Sequence, residues 1–332
     1  MPSSILSAGL ATAVGSLPHV DPRSAAALVL RCLPELPATP QLPCRSPWEG
    51  MIAQAACVLP EIELRIDGTL EAGASAEGPL RAVIDTEHDA GLLAFLDLAA
   101  RSAVPPSVVK VQTCGPLTLG LALADAGLAV DRAFPRAVLA VRERAVALEH
   151  VVAERLPGAS LVLWLDEPGL VAWRDNDAPL DREAATDLLS GALASVGAVT
   201  GVHVCGGGDL RVALDAGPGI LGLEVHEGLV ESAGWIARHL DGGGWIAWGA
   251  VPTDRPVGEH ATPLWKSLVE LWCELTRRGC DPVQLRSQAL ITPACGMAGH
   301  GPSQAERAMV LAREIGARVH DQAAATKLTI GA

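Results

Sequence analysis

"VTGVHVCGG", residues 199 to 207, decides the fold. Its first residues form an apolar run that polar positions scarcely interrupt before three glycines close it at 206 to 208. A strand with one wet face would alternate, whereas a near-continuous run marks a parallel strand covered on both faces. The same pattern recurs in "ATAVGS" (11–16), "SVVKVQTCGP" (107–116), "LVLWLDEPG" (161–169), "GILGLEVHE" (219–227), "GWIAWGAVP" (244–252) and "QALITPACG" (288–296). That makes seven strands.

Between these runs lie segments with helical periodicity, clearest over 131–156, 181–196, 262–279 and 301–321. Asp, Ser, Thr or an early proline opens several of them, and Gly279 closes the third behind Arg277 and Arg278. Strand and helix alternate, which argues for a parallel α/β architecture. No GxGxxG follows the first strand, so a dinucleotide-binding doubly wound sheet is disfavoured. An eighth strand is expected from the less regular stretch 50–86, where "ACVLPEIELRIDG" and "PLRAVIDTE" both qualify, together with an inserted hairpin. The reading is a (β/α)8 TIM barrel, one catalytic domain over 1–332, with room for insertions beyond the usual ~250 residues.

Composition narrows the function. Half the chain is hydrophobic (49%) and 19% is charged, ample for a large core, which must be built from Leu, Val, Ile and Ala because there are eight Trp, two Phe and no Tyr. A net charge of -13 repels nucleic acid and anionic membranes. No run reaches the roughly 18 apolar residues of a membrane span, and the N-terminus carries no basic residue before Arg23, so the expected location is the cytoplasm. In that reducing compartment, eight scattered cysteines read as buried hydrophobes, metal ligands or nucleophiles rather than disulfides.

Barrel chemistry collects where strands end. His203 and Cys205 share a strand face because side chains repeat with period two. Glu224 ends the next strand and Cys295 the last. HxC alone is a weak signal, but two thiols, an imidazole and a carboxylate at strand ends of one barrel make a soft set suited to Zn(II). The glycines at 206 to 208 then provide a tight turn beside the metal. Scattered ligands at a barrel mouth point to a catalytic zinc, and coordination ionises a thiol that is otherwise only slightly dissociated. His226, on the same face as Glu224, is the alternative fourth ligand, while Cys114, Trp245 and Trp248 read as packing.

The segments "AVGSLPH", "VQTCGPLTL", "WLDEPGL", "HVCGGGD", "LGLEVHE" and "ITPACGM" resemble, in order and rough separation, the catalytic C-terminal barrel of cobalamin-independent methionine synthase, over about residues 11 to 320. The resemblance implies zinc held by His203, Cys205, Glu224 and Cys295. It also implies that the backbone of Val14, Gly15 and Ser16 meets the amino-acid end of homocysteine and that Asp166 accepts its ammonium, with Glu49 as a second carboxylate. Departures fall on the donor side. The family's extra N-terminal barrel finds no room in 332 residues, "GLAL" (120–123) replaces a tryptophan, Ala172 replaces a carboxylate, and Asp254 is the acid–base candidate where a histidine is expected.

The expected activity is therefore methyl transfer to the zinc-activated thiol of homocysteine, from methyltetrahydrofolate or a methylated corrinoid protein. A thiol alkyltransferase for another small thiol and a degenerate zinc-binding barrel without catalysis are the alternatives. Uroporphyrinogen decarboxylase, which shares the weaker motifs, would want an arginine cluster near the start of the chain, and none is obvious.

Overall fold

The computed structural model describes residues 5–73 and 78–330, with side chains described as far as residue 325. Its strands, in chain order, are β1 (Ile62–Leu64), β2 (Leu70–Ala72), β3 (Val108–Cys114), β4 (Ser160–Asp166), β5 (Val199–Val204), β6 (Ile220–Glu224), β7 (Trp245–Val251) and β8 (Ala289–Pro293). Strands β3 to β8 come from six of the seven apolar runs and pair in parallel, each with its neighbours in sequence.

Two extended segments join the edges of this curled sheet. On the β8 side, Gly9 N donates to Ala289 O (2.8 Å), Ile291 N to Leu10 O (3.0 Å) and Thr12 N to Ile291 O (2.9 Å). On the β3 side, Lys110 N donates to Pro37 O and Thr39 N to Lys110 O, both at 2.9 Å. Between the two segments, Gln41 N donates to Gly15 O (3.0 Å) and Leu17 N to Gln41 O (2.9 Å). The result is a mixed α/β, TIM-like arrangement with six regular strands and two staves reduced to isolated parallel bridges.

Two expectations are corrected here. Residues 11–16 form only bridges, and Gly15 departs from strand conformation with φ +132. The remaining stave comes from residues 37–41, not from 50–86. Pro37, Pro40 and Pro43 punctuate that segment, and a residue without an N–H cannot continue a ladder; the same prolines disguise the stave as a loop. The stretch 50–86 supplies a short helix (Met51–Ala56) and the expected inserted hairpin, β1 antiparallel to β2, while the "PLRAVIDTE" segment is irregular. Residues 74–77 of that stretch lie outside the described residues.

Helices Val130–Arg155, Arg182–Leu193, Ala261–Arg277 and Pro302–Ile330 fall on the four periodic segments. Their apolar stripes cover the outside of the sheet in one large core that includes Val202 and Val204 of β5. A smaller core fills the inside with Val108, Val162, Trp164, Ile220, Trp245, Ala247 and Leu290, plugged by Leu6, Leu10 and Leu36. The register then stacks layers. Trp164, Gly201 and Ile220 lie side by side, and Asp166, His203 and Gly222 form the next layer towards the strand ends. Among the described residues no helix is long and apolar enough to cross a membrane.

Glu167, fully buried just past β4, locks this end of the sheet to the helix Pro116–Asp125. Its Oε1 accepts from Leu117 N (2.9 Å) and its Oε2 from Thr118 N (2.8 Å) and Thr118 Oγ1 (2.6 Å). Burial pushes its pKa up to about 7 against the pull of those donors, and Gly115 leaves the space its side chain occupies. A Glu167→Gln side chain must point an N–H₂ group at backbone donors. We expect it to lower stability by about 1–3 kcal/mol in denaturant unfolding, with His203, Cys205 and Cys295 untouched.

Candidate metal centre

His203 sits inside the barrel because Gly201 and Ile220 pair in the layer below, and the pleat repeats every second residue. Cys205 follows one residue past the end of β5 on the same face. The chain then turns sharply: Gly206 and Gly207 take φ +60 and +70, and Gly208 N donates to Cys205 O at 3.2 Å. Arg174 Nη1 holds the turn by donating to both glycine carbonyls at 2.9 Å. The expected role of these glycines is therefore seen in their backbone angles.

Cys295 arrives from the other side. A register shift between Gly249 and Val251 bends β7, and Ala294 N donates to Val251 O at 2.8 Å, which leads the chain beyond β8 back over the mouth. Gly249 is required there, since a Cβ would stand 2.7 Å from Ala294 Cα. The outcome is a Cys205 Sγ to Cys295 Sγ distance of 3.4 Å, with ligand atoms of His203, Cys205 and Cys295 all within 4.8 Å of one another.

The electrostatics of this trio are asymmetric. The hydrogen bond from Cys205 holds the Cys295 thiol down to about 4, and the nearby imidazole of His203 helps, while burial opposes. Cys205 is pushed far up by the same hydrogen bond and by burial, so it keeps the proton and donates it. His203 is 1% exposed, and neither Nδ1 nor Nε2 has a hydrogen-bond partner among the described residues. A buried imidazole without a partner is costly. Two sulfurs on one tetrahedral zinc stand about 3.8 Å apart, so one nitrogen and two sulfurs at this spacing fit Zn(II) with little rearrangement. Gly222 makes the room: a Cβ there would lie 2.8 Å from Trp164 and 3.0 Å from His203 Nδ1.

The other expected residues divide. Glu224 ends β6 but stays outside the cluster of three; it lines an adjoining cavity of about 390 Å³ with His226, Leu223, Arg211 and Trp235, and its charge raises the Cys205 thiol. Asp166 is buried beside His203 in the register, and its Oδ1 has no hydrogen-bond partner among the described residues. Burial pushes it up to about 6, with Lys110 and His203 pulling the other way. Val14, Gly15 and Ser16 border the same mouth, where Ser16 O accepts from Met297 N (2.9 Å) and a Cβ on Gly296 would meet Ser16 Oγ.

Glu49 is not aimed at the mouth by a free carboxylate. Arg45 Nη1 donates to Oε1 at 2.5 Å, Gly91 N reaches Oε2 at 3.4 Å, and burial raises its pKa. Asp254 has a side chain 63% exposed and lies 3.6 Å from Arg255, and the cluster does not include it. Cys114, Trp245 and Trp248 are buried, in keeping with packing roles.

Sequence reading missed two residues. Lys110, mid-strand in β3 and fully buried, donates into Val14 O, and the only sequence signal was a lysine inside an apolar run. His300, five residues past Cys295, bonds through Nε2 to Thr253 O at 2.8 Å and so fastens the loop after β7. Its place in a glycine-rich loop gave no signal.

No family model matches the chain, and no curated protein does. Among solved structures, a B12-independent methionine synthase from Shewanella sp. W3-18-1, in complex with selenomethionine, is similar in fold, with a TM-score of 0.66. The likeness covers 95% of this chain and 98% of that one at 14% identity.

A zinc ion held here would displace the proton that the Cys205–Cys295 hydrogen bond retains. Affinity is therefore expected to fall about tenfold for each pH unit lowered between 8 and 6, read by competition with a chromogenic chelator. Gly222→Ala should weaken zinc at least about tenfold by displacing the imidazole, against a wild-type control of equal helicity.

Proposed function

We propose that this chain is a zinc-dependent S-methyltransferase that converts homocysteine to methionine, working as one catalytic unit over residues 1–332. One observation carries the reading: a buried histidine with no hydrogen-bond partner among the described residues stands within 4.8 Å of two thiols, themselves 3.4 Å apart, at the mouth of the barrel. The fold likeness adds support, because selenomethionine, bound in that neighbour, is the selenium counterpart of the product.

His203, Cys205 and Cys295 would hold the metal, with Glu224, across the adjoining cavity, as the fourth donor in the absence of substrate. Bound zinc supplies a thiol already stripped of its proton at neutral pH. The residues of the chain then orient the two ends of the acceptor. Asp166, with its unpartnered buried oxygen, takes the ammonium, and the Val14–Ser16 backbone meets the carboxylate. Glu49, engaged by Arg45, shapes this wall from behind.

The sulfur forms its bond to the methyl carbon as the bond between that carbon and the donor breaks. The electron pair leaves with the donor, methyltetrahydrofolate or a methylated corrinoid protein. A folate departing from nitrogen needs a proton. Candidates to supply it are the solvent-facing Asp254, on the loop after β7, and His300, on the loop after β8, which is anchored to Thr253 O through Nε2 and so exchanges at Nδ1. Alignment of sulfur and methyl supplies about 7 kcal/mol or more of the barrier reduction. Use of another small thiol is the second reading; the buried unpartnered oxygen of Asp166 favours an acceptor that carries an amine.

The test offers methyltetrahydrofolate and methylcobalamin separately to zinc-loaded protein with homocysteine. Methionine is expected from one of them, and Cys205→Ser or Cys295→Ser should cut the rate at least about 100-fold. Fully zinc-loaded protein that forms no methionine from either donor, and releases no proton on addition of homocysteine, sinks the proposal.

A further inference from the structure

Lys110 occupies a position that alternation assigns to the barrel interior, and it is fully buried. A buried ammonium is costly unless hydrogen-bonded, so its partners define its purpose. Nζ donates to the carbonyl of Val14 at 2.8 Å and to Gln112 Oε1 at 3.0 Å. Gln112 Nε2 in turn donates to Thr39 O at 2.7 Å. The amide of Gln112 fills the space that a Cβ on Gly15 would need, and Gly15 holds φ +132 beside it.

Val14 belongs to one of the two reduced staves and Thr39 to the other. Both staves lack a full ladder, and two side chains of β3 fasten them. Lys110 Nζ also lies 4.5 Å from the ring centroid of Trp164, whose indole stacks on His203 at 6.2 Å and 29°. One cation therefore touches the backbone at the mouth on one side and the aromatic floor beneath the imidazole on the other.

We propose that Lys110 is a positioning residue: through Val14 O and Gln112 it sets the Val14–Ser16 backbone opposite Asp166, so that the amino-acid end of an aminothiol is read in one orientation. The inference rests on the thiol-transfer reading above and deepens it, since Lys110 acts on the amino-acid end and not on the sulfur. Its effect should thus vanish for a thiol that has no such end.

The test compares full-length, zinc-loaded wild type with Lys110→Met, which keeps an unbranched side chain one atom shorter and removes its charge. Hydrogen exchange should quicken at least tenfold in peptides covering residues 10–18, with β5 and β6 unchanged. In the transfer assay KM for homocysteine should rise at least tenfold, by more than kcat falls, while 2-mercaptoethanol is used equally by both proteins. Should Lys110→Met fail to fold, Gln112→Met decides by the same readouts, with faster exchange also over residues 37–42. Unchanged exchange at 10–18 overturns the proposal, as does an equal KM rise for both thiols. If the wild type methylates no thiol, the functional reading falls on its own, and the exchange measurement alone decides the role of Lys110.

Discussion

The parallel register across β4, β5 and β6 is the constraint from which the site follows. It sets Asp166, His203 and Gly222 abreast, directly above a layer of Trp164, Gly201 and Ile220. Once His203 points inward, Cys205 must as well, and Val202 and Val204 must face the helical shell, where they are found in the outer core. A slip of one residue in β5 would exchange these sets, exposing the valines to a polar interior and burying the imidazole and thiol among leucines. The large apolar cost of that exchange is what makes the donor geometry dependable. The glycines at 201 and 222 are part of the same constraint, since each yields its side-chain volume to Trp164 and the latter also to His203.

Above that floor the barrel changes character from apolar to charged. Lys110, Asp166 and Glu167 are all buried, yet each is held by a different means. Glu167 is saturated by donors at a helix start, and Lys110 by two oxygens and an indole face. Of these three, Asp166 is the one with a buried oxygen, Oδ1, that has no partner among the described residues. In a water-poor interior, the group left unsatisfied is the one with the most to gain from a cationic ligand. The contrast separates Asp166, which is left with capacity for a ligand, from Glu167, its neighbour in the chain, which holds the scaffold.

Much of this was legible in the sequence because the two strongest signals are local. Apolar runs that end in glycine or an acid located the starts of six strands within a residue, and HxC put two candidate ligands on one face by pleat alone. The stave at 37–41 was hidden because proline both breaks the ladder and imitates a loop. Lys110 was hidden because a lysine in a strand is read by its charge, whereas its value here depends on Val14, Gln112 and Trp164, which only tertiary contact brings together. Glu224 marks the limit of such signals. Its position at a strand end was read correctly, but a strand end fixes Cα and not the carboxylate, and the residue lines the neighbouring cavity while standing outside the cluster of three.

The closeness of the two sulfurs has a chemical consequence of its own. At 3.4 Å, with a hydrogen bond between them, the sulfurs of Cys205 and Cys295 need only a small movement to come within bonding distance. An oxidant that takes two electrons and a proton from the pair would leave a covalent bridge of about 2.05 Å, sewing the end of β5 to the chain beyond β8. A soft cation held between the two sulfurs would therefore also guard them against oxidative closure.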